Sequence, residues 1–316
     1  MYNGKRVLLI AGGGTLGSYV AKELLAKGAY VDVICLEDNT SDNDRLRYFK
    51  HRVSLEVLSD LFKETRYDGV VDFIHYTDIE EYKPFYELIM KNTEQLIFLS
   101  SYRVYADSFP ITENAPRLLD VSEDKEFLEN EDYAIPKAKF EDFLFGSHKG
   151  ERWTIVRPVI SFSFRRFDLF VYSNNDIWEQ VERYGRLLMP SYAKDLVAGI
   201  DWAGNSGKLI ANLLFKEEAI GEVFTVSSAQ NLTWGRVSEI YSEVFGFDVE
   251  WCDTKVFEES YPCLENKKKW LYVYDRKFNR LIDNSKILSV TGLSSDDFLS
   301  FEDGLKIERE LRGNIK

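Results

Sequence analysis

The segment Arg6–Gly28, RVLLIAGGGTLGSYVAKELLAKG, holds three patterns in succession. Val7, Leu8, Leu9 and Ile10 form a continuous apolar run, which reads as a strand buried on both faces. Gly12, Gly13 and Gly14 follow at once, then Gly17. From Ser18 the period turns helical, with Val20, Leu24 and Leu25 on one face and Lys22, Glu23 and Lys27 off it. Gly28 suits a helix C-cap. A strand, a glycine turn and a helix open a dinucleotide-binding unit. The glycines there allow a tight turn, close approach of backbone to a pyrophosphate, and close helix–strand packing. The helix N-terminus offers free N–H groups to the phosphates.

After Gly28, Tyr30–Leu36 reads as a second strand. Glu37 and Asp38 follow it, about 20 residues past Gly17, where an acid normally holds the adenosine ribose. Asn39–Asp44 is a polar turn, followed by a basic patch of Arg45, Arg47, Lys50 and Arg52. The patch reads as a solvated face; the alternative is a site for the 2′-phosphate of NADP. A helix over Leu55–Phe62, a strand over Gly69–Ile74, a helix over residues 79–92 and a strand over Leu96–Leu99 continue the alternation. That order predicts an α/β fold: a Rossmann-type, doubly wound parallel sheet with helices on both faces. Ligands of such sheets lie beyond the C-terminal strand ends.

Past Leu99 the chain reads Ser100-Ser101-Tyr102-Arg103-Val104-Tyr105, then an acidic loop from Asp107 to Asp132. A helix is expected from Tyr133 to about Phe145, a strand over Trp153–Val156, then Arg157-Pro158. Further helices are expected over Lys194–Leu214, Leu232–Phe245 (with Thr233 as N-cap) and Asp296–Arg312, and a strand over Val223–Ser227. Residues 1–160 are expected to form the dinucleotide-binding core, with 194–228 returning to it. Residues 161–193 and 229–316 are expected to form a smaller C-terminal α/β substrate lobe.

Composition narrows the function classes. The 316 residues are 45% hydrophobic and carry a net charge of −13. Phosphate-backbone binding needs clustered Lys and Arg, so no nucleic-acid partner is expected. Cys35, Cys252 and Cys263 are far apart and odd in number, and His51, His75 and His148 are scattered. Neither a metal site nor a disulfide framework is expected. No apolar run approaches the roughly 18 residues of a membrane span. The first residues build the opening strand rather than a signal peptide, so a soluble cytoplasmic protein is expected.

Tyr133 and Lys137 stand four apart on the expected helix, so their side chains share a face. An ammonium there can stabilise a phenolate. Ser101, after a strand, can hydrogen-bond the same substrate oxygen.

In this order the pieces VLLIAGGGTLG, LIFLSSYRVY, YAIPK and TIVRP resemble the extended short-chain dehydrogenase/reductases, the nucleotide-sugar epimerase/dehydratase group. GEVFTVSSAQNLTW and DNSKILSVTGL extend the resemblance over nearly the whole chain. It implies that Ser101, Tyr133 and Lys137 are catalytic. It implies cofactor contacts from Ala11, Gly12, Gly14, Thr15, Leu16, Gly17, Glu37, Tyr76, Ser100 and Lys137. The chain departs from the family pattern at three places. Ala11 holds the first glycine position of GxxGxxG; Cys35 holds the ribose-binding acid position, with Glu37 two residues later; and no Asp for adenine stands around His51–Ser54. The resemblance implies NAD, or alternatively NADP, a nucleotide-sugar substrate, and a homodimer through the helix bearing Tyr133. An epimerase is the leading expectation. The alternatives are a reductase or dehydrogenase with the same residues, and a non-catalytic dinucleotide-binding regulatory protein. A 4,6-dehydratase is disfavoured, because Tyr102-Arg103 replaces that group's Asp-Glu pair.

Overall fold

The structure is a computed structural model that describes residues 2–131, 133–147 and 151–313. Asp132, the end of the acidic loop, and His148 lie outside the described residues. Seven strands form one fully parallel sheet. β1 (Arg6–Ile10) lies third from one edge, with β2 (Tyr30–Cys35) and then β3 (Leu46–Lys50) on that side. β4 (Gly69–Asp72), β5 (Leu96–Leu99), β6 (Trp153–Pro158) and β10 (Glu222–Val226) follow on the other. Two small parallel pairs lie apart: β7 (Ile160–Phe162) with β9 (Ile200–Trp202), and β8 (Arg186–Pro190) with β11 (Asp248–Cys252).

Alternation along β1 feeds two cores. Val7 and Leu9 pack towards α1 (Thr15–Ala26) and α8 (Ala203–Leu213). Leu8 and Ile10 pack towards α2 (Leu55–Glu64), α3 (Ile79–Asn92) and α6 (Ala134–Phe145). Between β5 and α6 lie two short helices, α4 (Leu118–Val121) and α5 (Lys125–Asn130). A further core gathers α7 (Asn174–Tyr184), α9 (Trp234–Phe245), α10 (Thr254–Ser260) and Phe301 and Leu305 of α13 (Phe301–Gly313). A one-turn α11 (Lys269–Leu271) and α12 (Ser285–Thr291) complete the chain. None of the described helices is long and apolar enough to cross a membrane.

Several segments differ from their sequence reading, and the expected acidic loop is one, since it holds α4 and α5. The basic patch contains β3, an edge strand. Its Arg47 faces Asp32 across the ladder and grips that buried carboxylate through Nε at 2.8 Å and Nη2 at 2.5 Å. Arg6 and the Tyr67 hydroxyl bind the same carboxylate. Arg47 therefore compensates a charge in mid-strand, next to Leu8 of β1, rather than waiting at a strand end for a phosphate. The helix expected from Lys194 begins only at Ala203. Gly199 takes φ +58°, and the Asp201 carboxylate accepts from the amides of Trp202 and Ser228, which keeps the preceding chain out of a helix. The last helix begins at Phe301 rather than Asp296, because Ser294 and Asp297 close a separate 3-10 turn.

Candidate active site

The turn after β1 is shaped by contact. A Cβ on Gly12 would lie 2.6 Å from that of Leu9, and one on Gly17 would lie 2.2 Å from the Gly12 carbonyl oxygen. Gly17 thus lets α1 rest directly on the turn. Ala11 adopts φ +54°, a left-handed conformation that costs an L-residue about 1–2 kcal/mol. Its backbone therefore takes a shape that glycine adopts freely. Gly14 meets no atom within 4 Å of an added Cβ and starts α1 without a side-chain cap. The first N–H groups of the helix are left to a ligand. At the end of β2, the Glu37 carboxylate reaches back over the turn, 2.8 Å from an ideal Cβ on Gly13. Asp38 beside it pairs with Lys50 at 3.0 Å.

Strand ends supply the next groups. After β5, the Ser100 hydroxyl donates to buried Glu141 at 2.5 Å. Glu141 is also gripped by Arg157 at 2.8 and 2.6 Å, which explains the strand-end Arg157. Ser101 Oγ accepts from the Arg103 amide at 3.2 Å, and its own O–H remains a donor. Tyr133 is the N-cap residue of α6. One turn on, the Lys137 ammonium is buried and donates to the carbonyls of Leu99 at 2.5 Å and Ile74 at 3.2 Å. Burial pushes Lys137 down to about 8, against the pull of Asp72 and Glu141. Burial likewise pushes Asp72 up to about 6, opposed by the Ile74 amide, Tyr76 and Lys137. Tyr76 donates to Asp72 at 3.0 Å and packs on Tyr82, Phe85 and Phe140.

A cleft of about 570 Å³ joins these parts. Of the residues singled out from the sequence, Ala11, Gly14, Thr15, Leu16, Gly17, Ser100, Ser101 and Tyr133 line it. Gly12, Glu37, Tyr76 and Lys137 are not on its wall: Gly12 packs under the turn, Glu37 over it, and Lys137, on the helix that Tyr133 caps, is turned to the carbonyls of Leu99 and Ile74. The lining also holds Arg103, Arg166, Lys268 and Arg276 against one acid, Asp168. Each of these cations is paired with a carboxylate: Arg103 with Glu131, Arg166 with Asp168, Lys268 with Asp176 and Arg276 with Asp275. The last three come from distant stretches without a motif. Arg103 stood in view within SSYRVY, but nothing in its spacing marked it.

No family model matches the chain, and no curated protein matches it. Solved structures do. An epimerase from Methanothermobacter thermautotrophicus is 17% identical, with a TM-score of 0.72 over 98% of this chain and 92% of that one. A Thermus thermophilus UDP-glucose 4-epimerase, solved with NAD, is 17% identical, with a TM-score of 0.68 over 98% of this chain and all of that one (100%). The Thermotoga maritima UDP-glucose 4-epimerase, solved with UDP-glucose, is 16% identical, with a TM-score of 0.70 and coverage of 98% and 100%. From end to end, the chain therefore has the Rossmann-type fold of the NAD-dependent nucleotide-sugar epimerases.

Proposed function

We propose that the protein is an NAD-dependent epimerase of a nucleotide-linked sugar. The observation that carries this reading is one cleft lined by the glycine turn, Ser101 and Tyr133, with Lys137 buried one turn behind. The residues fit the cofactor. Gly14 leaves open the space that a Cβ would fill, the start of α1 is uncapped, and Glu37 lies over the turn as a ribose partner. An acid there repels a 2′-phosphate, and Arg47 is already committed to Asp32, so NAD is preferred over NADP. The guanidinium and ammonium groups on the wall, each held by a carboxylate, suit the diphosphate of a nucleotide sugar. The cytoplasm, where such a sugar and NAD meet, is the proposed location, and a homodimer through α6 the proposed assembly.

When bound, the nicotinamide supplies reversible hydride exchange with a carbinol carbon. Tyr133 Oη removes the carbinol proton and later returns it. Ser101 Oγ donates to the same oxygen as it becomes a carbonyl. The Lys137 ammonium, cationic below about pH 8, sets a positive charge behind Tyr133 that favours this proton transfer.

Two measurements test the reading. Freshly purified protein, denatured, should release NAD, and titration should favour NAD over NADP. A tenfold preference for NADPH, about 1.4 kcal/mol, would instead indicate a net reductase. Against a panel of UDP-, GDP- and dTDP-sugars, Tyr133→Phe should lose several orders of magnitude of turnover yet still bind NAD. Near wild-type turnover would end the proposal.

A further inference from the structure

A second cation lies against Tyr133. Arg103 sits in the 3-10 turn Tyr102–Val104, and its guanidinium carbon is 4.9 Å from the centroid of the Tyr133 ring. Its Nη2 donates to Glu131 Oε1 at 3.0 Å. The other oxygen of Glu131 accepts from the amides of Tyr133 and Ile135, both at 2.9 Å. One buried carboxylate thus ties the guanidinium to the first turn of the helix whose N-cap is Tyr133. Arg103 Nε is buried without a hydrogen-bond partner among the described residues, so the guanidinium is not fully used by its ion pair. Lys137, by contrast, spends its ammonium on the carbonyls of Leu99 and Ile74.

A guanidinium near a phenol ring is attracted by the ring's quadrupole, and more strongly once the ring bears a negative charge. We infer that Arg103, locked by Glu131, is a positioning residue that fixes the Tyr133 ring and stabilises its anionic form. The inference rests on Tyr133 being the acid/base of the proposed reaction. Other ionisable groups near the ring are His75 (ring centroids 5.1 Å apart) and Arg166 across the cleft, while Lys137, one turn on in the same helix, is turned to the carbonyls of Leu99 and Ile74. None of them is tied to the backbone amides of Tyr133 as Arg103 is through Glu131.

The test needs no substrate, so it is independent of the epimerase reading. The near-ultraviolet tyrosinate absorption of wild-type protein is titrated with alkali, and the component that Tyr133→Phe deletes is assigned to Tyr133. In Arg103→Gln that component should rise at a pH about one unit higher, a tenfold change in the ionisation equilibrium. Arg103→Lys should recover part of the difference. Arg103→Met, which keeps much of the stem and removes the charge, should move it in the same direction and serves as the second variant if Arg103→Gln does not fold. A Tyr133 component unmoved in Arg103→Gln, or in Arg103→Met when that is the variant available, would overturn the inference. Once a sugar substrate is found, Arg103→Gln should move the pH profile of turnover in the same direction.

Discussion

At the scale of single residues, Lys137 pays for its place. A buried ammonium with its proton affinity pushed down from 10.5 to about 8 is bound less tightly to its proton in the native state than in the unfolded chain. Between those values the unfolded state holds more protons, so this group's contribution to stability rises with pH. Below about pH 8 the cost is present in full. Asp72 has the opposite sign: raised from 3.8 to about 6, it holds more protons when folded, so its contribution falls as pH rises across that window. The stability of wild type minus that of Lys137→Met should therefore increase from pH 8 to pH 10.5, by up to about 3 kcal/mol, in urea titrations at each pH. A flat difference would mean that the ammonium is better solvated than its surroundings indicate. Tyr133 and Lys137 were legible because a four-residue spacing on a helix is a pattern. Arg103 and Glu131 were not, because a lone arginine in a short turn and a glutamate just before a helix have no period to betray them.

At the scale of elements, the parallel sheet was readable wherever a strand is buried on both faces. VLLI and LIFL are continuous apolar runs for that reason. β3, LRYFK, lies at the sheet edge and is only partly buried, so its polar residues masked it as a solvated patch. The Lys194–Leu214 segment failed differently. Its residues have helical periodicity, yet a turn at Lys194–Leu196, the left-handed Gly199 and the tertiary contacts of Asp201 keep the chain out of a helix until Ala203. Asp32 gives the edge of the sheet a testable anchor. It is fully buried and serves two arginines and Tyr67. Arg47→Ala takes the bidentate partner from a fully buried carboxylate and should cost about 3 kcal/mol, whereas Asp32→Ala removes that charge, leaves arginines 28% and 47% exposed that can turn to water, and should cost about 1–2 kcal/mol, chiefly for the Tyr67 hydroxyl. Denaturant midpoints at constant slope would measure both. Similar losses for the two would mean that the pair, and not the stranding of the buried carboxylate, sets the cost.

At the scale of the whole molecule, the last helix is fastened to the first. Glu308 of α13 is fully buried and accepts from the hydroxyl of Tyr19 on α1, from Trp202 Nε1 at 2.6 Å and from the Phe164 amide at 2.7 Å. The loop it braces also touches the start of α1, where the Thr15 and Ser163 hydroxyls lie 3.1 Å apart. Glu308→Ala leaves three donors without an acceptor and should lower stability by about 3 kcal/mol. It should also weaken NAD binding, because the loop beside the glycine turn loses its brace. Calorimetric melting and an NAD titration on the same preparation check the pair of effects; lower stability with unchanged NAD affinity would separate α13 from the cofactor site.

The bond between Tyr19 and Glu308 spans 289 positions of sequence. During synthesis at roughly 5–20 residues per second, about 15 to 60 seconds pass between the appearance of the two partners. Through that interval the glycine turn is already made, while α8 and β10, which cover and complete its sheet, and α13, which braces α1, are still being added. The apolar face of α1 that will receive α8 must wait uncovered. A growing chain of this design is exposed to mispairing for longest at the end it makes first.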